Sequence, residues 1–132
     1  MKELGQIWQL PLINGLVGHV ISVTDHTAKV QTIIDSSSSV SVTISTTRDS
    51  IVCKGDLASA YKLKGVYIPT DVSIIEGDNI ETSGMGGIYP KGIYVGKIME
   101  IVNTKNIMDR YILIKPAVDF SKLETVLVVI GV

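Results

Sequence analysis

From residue 16 onward the chain is a series of short runs of alternating apolar and polar positions, separated by turn-forming residues. The clearest is Val40-Ser41-Val42-Thr43-Ile44-Ser45, whose strict period of two puts Val40, Val42 and Ile44 on one face of a strand and the hydroxyl residues on the other. Residues 16–23 alternate once past Gly18, Thr24-Asp25-His26-Thr27 has turn composition, and residues 28–34 supply the second arm of a hairpin. Ser36 to Ser39 is a loop too short to link domains. Residues 51–54 and 57–63 predict another pair around Gly55-Asp56, and Gly77-Asp78 punctuates the chain in the same way. Pro69-Thr70-Asp71-Val72 reads as a turn, and residues 93–102, 111–115 and 124–130 complete the strands. A strand about every ten to twelve residues, with no helical period sustained over ten, predicts an all-β fold: a small antiparallel barrel or sandwich.

The first 14 residues are less regular. Leu4, Ile7, Trp8 and Pro11 suit either the end of a helix or a strand-like arm, and Gly5 and Pro11 oppose a long helix. Trp8 would pin such an arm to the core or meet a partner. The segment is expected to be an N-terminal arm or a non-native start, because Glu3 sits where a secretory leader would be basic.

At 132 residues and 45% hydrophobic content there is ample material for a core. Twelve basic against thirteen acidic residues leave a net charge of −1, which gives no field to attract nucleic acid or an anionic membrane. The longest apolar run, residues 126–130, falls far short of the roughly 20 residues that cross a bilayer. The lone Cys53 has no internal disulfide partner and is expected as a small buried side chain.

Glycine is densest in Thr82-Ser83-Gly84-Met85-Gly86-Gly87-Ile88-Tyr89-Pro90-Lys91-Gly92-Ile93-Tyr94-Val95-Gly96, where five glycines and a proline interrupt strand-forming residues. The stretch predicts two tight turns joining three short strands. Together with Gly77-Asp78 ahead of it, it resembles the signature of the bacterial rod shape-determining protein family MreC. Three flanking matches fall in the family's order: Gly15-Leu16-Val17-Gly18 with Ala28-Lys29-Val30, Asp35-Ser36-Ser37, and Pro116-Ala117-Val118-Asp119-Phe120 with Leu123-Glu124-Thr125-Val126-Leu127-Val128. The resemblance spans residues 12–130. It makes Gly77, Asp78, Thr82, Ser83, Gly84, Gly86, Gly87, Pro90, Gly92 and Gly96 the structural signature.

Family likeness implies two small β-barrels side by side, arranged as in chymotrypsin-like proteases but without a catalytic triad. On that basis residues 1–14 are the arm, 15–65 a first lobe and 66–132 a second barrel. MreC proteins carry a membrane helix, a coiled coil and further β sequence ahead of the "GLVG" strand. This chain starts short of them, so its first barrel is expected to be incomplete.

Because of that fold analogy, Ser83 with His19, His26 and an aspartate is the arrangement to consider for catalysis. A triad needs the serine hydroxyl about 3 Å from an imidazole that a buried carboxylate orients. His26 falls in a turn, His19 lies mid-strand, and Thr82 stands where a protease would place Asp, so no enzyme is expected. Thr82 and Ser83 instead suit the end of a strand, their hydroxyls bonding turn amides. Two histidines seven apart and one cysteine match no metal spacing, and Gly84-Met85-Gly86-Gly87 lacks the Lys-Ser/Thr and helix of a phosphate loop. No cofactor or small-molecule substrate is expected.

The resemblance implies an extracytoplasmic, non-catalytic scaffold of the cell-elongation machinery. Its implied partners are a class B penicillin-binding protein, MreD, MreB either indirectly or through the missing N-terminal region, and further copies of itself. Tyr67, Ile88, Tyr89 and Tyr94 are the candidate partner-binding residues. The competing readings are a periplasmic adaptor-like β-barrel module, and a hydrolase using Ser83.

Overall fold

A computed structural model describes residues 6–9, 15–123 and 126–129. Its strands are β1 (Gln6–Gln9), β2 (Leu16–Val23), β3 (Ala28–Thr32), β4 (Ser39–Ile44), β5 (Ser50–Gly55), β6 (Leu63–Val66), β7 (Asn79–Thr82), β8 (Tyr94–Val102), β9 (Tyr111–Pro116) and β10 (Val126–Val129). Helical structure among the described residues is confined to two single 3₁₀ turns, Ile107–Asp109 and Phe120–Lys122, capped by the carboxamide of Asn106 and the carboxylate of Asp119.

Strands β4-β5-β6-β9-β8-β7 close into a barrel, and β10-β1-β2-β3 form a four-stranded sheet beside it. Every pairing is antiparallel. The all-β expectation holds. The division into residues 15–65 and 66–132 differs from this layout: Gly65 lies inside β6, and the same barrel takes β4 and β5 from before it and β7, β8 and β9 from after it. The sheet joins the two ends of the chain, because β1 pairs with β10 in the register Gln6↔Val129 to Gln9↔Val126. Within the first 14 residues, the described segment 6–9 is thus a strand. The Trp8 side chain lies outside the described residues.

Alternation explains the barrel interior. Val40, Val42 and Ile44 of β4 point inward as their period requires, and Ile51, Cys53, Leu63, Ile80, Ile98, Ile112 and Ile114 meet them from the other strands. β-branched side chains dominate because they pack well on a pleated surface. A second cluster of Val17, Val20 and Val118, flanked by Phe120, Leu123 and Val126, seats the sheet. Bulges between Ile80 and Glu81 and between Ile98 and Glu100 add local twist to the strands that must curve most.

Two segments depart from expectation. Residues 57–62 are turn rather than strand, since Asp56 draws the chain round: its Oδ1 accepts from Ala58 N–H and its carbonyl from Ser59 N–H, with Lys62 left-handed at φ +73°. The stretch after β7 has its two expected turns, at residues 85–86 and 91–92, but not the middle strand expected between them. Gly84, Gly86, Gly87 and Gly92 all have positive φ, so residues 88–90 never extend far enough to pair.

Candidate functional site

The signature residues build the barrel's joints. Gly77, at φ +92°, donates its N–H to Ile98 O at 2.7 Å, and Asp78 Oδ1 accepts from Asn79 N–H and the Thr46 hydroxyl, both at 2.8 Å. This Gly-Asp turn ties β7 to β8 and to the turn after β4. Thr82 is only 1% exposed. Its hydroxyl donates to Pro90 O at 2.6 Å and accepts from Ile93 N–H at 2.8 Å, while its backbone bonds Gly92 and Ile93. One side chain therefore clamps the base of the whole 83–92 loop. Thr82→Val keeps the shape and deletes the hydroxyl, leaving a carbonyl and an amide unpaired. It should cost about 1–3 kcal/mol in urea unfolding, with Thr82→Ser milder.

Ser83 makes no catalytic arrangement. Its hydroxyl donates to Ser41 O and Ser41 Oγ at 3.1 and 2.8 Å and accepts from Met85 N–H at 3.1 Å, extending the β4–β7 seam past the last strand residue. His26 sits exposed in the β2–β3 turn. Cys53 is fully buried, and burial pushes its thiol up to about 12. Among the described residues no three His, Cys, Asp or Glu side chains gather to hold a metal.

His19 does have a role, as a link between the sheet and the loop. Its Nδ1 lies 2.9 Å from the Tyr89 hydroxyl, with the two rings edge to face at 5.7 Å between centroids. Tyr89, one of the expected partner contacts, is 7% exposed and belongs to the core; burial, then the Cys53 thiol, pushes its phenol upward. Burial also lowers the His19 pKa below 6.5. Below pH 6.5 the unfolded chain therefore binds a proton that the folded chain resists, and stability falls as pH drops from 6.5 to the lowered value. Melting temperature should decline through this window in the native chain and decline less in His19→Gln, a comparison made by calorimetry across pH.

The other expected contacts do face outward. Ile88 is 44% exposed in the loop next to exposed Met85, and Tyr94 is 38% exposed with its hydroxyl 3.3 Å from Asn79 Oδ1. Tyr67, at 69%, stands on the opposite part of the barrel beside Met108. Of the four candidates, Tyr89 is thus in the core and the other three are at the surface. Sequence reading missed the β2–β3 hairpin tip, where Ile21, Val23 and Val30 are exposed. The signal available was that hairpin's length, eight residues in β2, of which only the first half covers the core.

Residues 11–130 match the family model described as "Rod shape-determining protein MreC, barrel core". The chain belongs to the MreC family. A curated MreC relative, from Cereibacter sphaeroides, is 30% identical over 110 residues, covering 83% of this chain and 34% of its own length. The chain spans from about a fifth to about a third of the length of the curated MreC relatives it matches. Among solved structures, MreC from Pseudomonas aeruginosa superposes with a TM-score of 0.85 at 23% identity, over 96% of this chain and 79% of that one. The complex between penicillin-binding protein PBP2 and MreC from Helicobacter pylori gives 0.75 at 18% identity, over 97% and 79%. At these identities the likeness shows a common fold. MreC relatives are described as cell shape-determining proteins.

Proposed function

We propose that this chain is the extracytoplasmic barrel core of a cell-elongation scaffold, which docks a class B penicillin-binding protein and associates with further copies of itself. Contacts to MreD and MreB would run through sequence ahead of this region. The observation that carries the reading is how the signature is used: Gly77, Asp78, Thr82, Ser83 and the loop glycines serve backbone architecture, and the loop turns the apolar side chains of Met85 and Ile88 outward beside the exposed Lys91. Support also comes from the fold shared with an MreC that is solved in complex with PBP2.

Such docking needs about 800 Å² from each partner with a few apolar anchors at its centre. Ile88 with Met85, Tyr94, and Tyr67 are separate anchors on a body this small. For self-association the β2–β3 hairpin is the natural element, since β3 lies at the edge of the sheet and its exposed Val30 sits directly opposite Val20 in the register. Sedimentation velocity over a concentration series, with and without the soluble ectodomain of a class B penicillin-binding protein, tests the reading. A faster boundary with the synthase supports docking, and a concentration-dependent boundary without it supports self-association. A monomer indifferent to the synthase overturns both.

A further inference from the structure

The outer face of β5, β6 and β9 has an arrangement that the barrel itself does not need. Lys54 and Lys64 are direct register partners across β5 and β6, an unfavourable placement for like charges. Neither forms an ion pair with a described residue. Each lies instead against an aromatic ring: Lys54 Nζ is 5.6 Å from the Tyr67 centroid and Lys64 Nζ 4.3 Å from the Tyr111 centroid. Together with Arg110 and Met108 they line a groove of about 370 Å³. Asp56 and Asp109 also line it; Asp56 Oδ1 is already held by Ala58 N–H, and Asp109 belongs to the exposed 3₁₀ turn.

Tyr67 adds a second, independent observation. It is held at φ +58°, a left-handed conformation that a bulky side chain avoids, and it is the most exposed of the large hydrophobic residues described. The strain turns an aromatic ring outward beside a pair of cations, where burial gains the fold nothing. Strain of this kind persists where a surface must be presented in a fixed way.

We infer that this groove docks an acidic, apolar segment of a partner protein. Its carboxylates sit between the Lys54 and Lys64 ammonium groups, and its apolar side chains lie on Tyr67 and Met108. Two facing cations repel each other until an anion enters between them, so the docked carboxylate removes a cost the free barrel bears. Arg110 shapes the groove wall, since its Nη2 is committed to the carbonyls of Pro69 and Val72 at 2.8 Å. The inference rests on reading the chain as a docking scaffold and names which face takes which chemistry.

The test uses the full 132-residue chain and a fluorescein-labelled peptide in which leucine and glutamate alternate, followed by anisotropy. A second peptide has lysine in place of glutamate. The acidic peptide should bind, more weakly as salt rises, and the lysine peptide should not. The double variant Lys54→Gln with Lys64→Gln should lose about tenfold or more in affinity, and so should Tyr67→Asn. Asparagine tolerates positive φ, so an unchanged melting temperature in that variant would separate binding from folding. Equal binding of the two peptides, or full affinity in both variants, overturns the inference. So does lysine-dependent binding to phosphatidylglycerol vesicles in place of the peptide. If the synthase ectodomain binds these variants as tightly as the native chain, the groove inference fails while the scaffold reading stands. If the peptide binds as expected but the synthase does not, the scaffold's proposed partner fails and the groove remains.

Discussion

Gly96→Ala should unfold the barrel or come close to it. A Cβ built on Gly96 lies 2.2 Å from Lys115 O and 3.0 Å from Ile114 Cγ2, and the first of these is backbone of the neighbouring strand. Neither group can turn aside, because Gly96 pairs with Pro116 and Lys97 with Lys115, and β8 and β9 are held on their other sides by β7 and β6. Relief requires separating strands within a closed barrel, so a loss of about 4 kcal/mol or more is expected, at the extreme of single substitutions. Gly77→Ala is the comparison. Nothing lies within 4 Å of its Cβ, and only its φ of +92° opposes the change. It should cost about 1–2 kcal/mol, the ordinary penalty for placing a side chain at positive φ. Urea midpoints that shift equally for the two variants would show that close strand approach does not dictate glycine at position 96.

Ile112→Ala should be among the most damaging truncations in the core, at about 2–5 kcal/mol, against roughly 0.5–1.5 for Ile112→Val. Ile112 is fully buried on β9, and β9 is hydrogen-bonded to both β6 and β8. Its side chain lies over Gly65: a Cβ added there would meet Ile112 Cγ1 at 2.6 Å and Cδ1 at 2.9 Å. The two positions should therefore couple. Gly65→Ala is expected to be strongly destabilising alone and much less so when Ile112 is already alanine, because the methyl then enters space the isoleucine has left. A double-mutant cycle reads this directly, and additive costs would mean that the barrel relaxes elsewhere.

What the sequence made legible was local. The alternation in Val40 to Ser45 identified the inward face of β4, and the hydroxyls of Thr82 and Ser83 could be assigned to turn amides, because the first lies within one strand and the second within one strand end and the loop that follows it. Pairing was not legible. The contact of Gln6 with Val129 joins residues at opposite ends of the chain, and no periodicity within either strand names its partner. Tyr89 was misplaced for a related reason. Its exposed neighbours Gly86, Gly87 and Ile88 suggest a surface tip, but its ring folds back to His19, seventy residues earlier. For the outer face of β5 and β6, each lysine looks like ordinary solvated charge in its own strand. Only the register that sets Lys54 against Lys64 makes them a pair.

The pairing of β1 with β10 also decides how the molecule responds to being pulled. Gln6 and Val129 lie at the same end of two antiparallel strands, so tension applied between the chain's two extremities opens that ladder one hydrogen-bonded pair at a time. Little force is needed, because the load never falls on several bonds at once. The barrel strands, which begin at Ser39 and end at Pro116, carry no load until the strap has parted. A body built this way yields at its fastening and keeps its core, with its surface features still in place while the ends move apart.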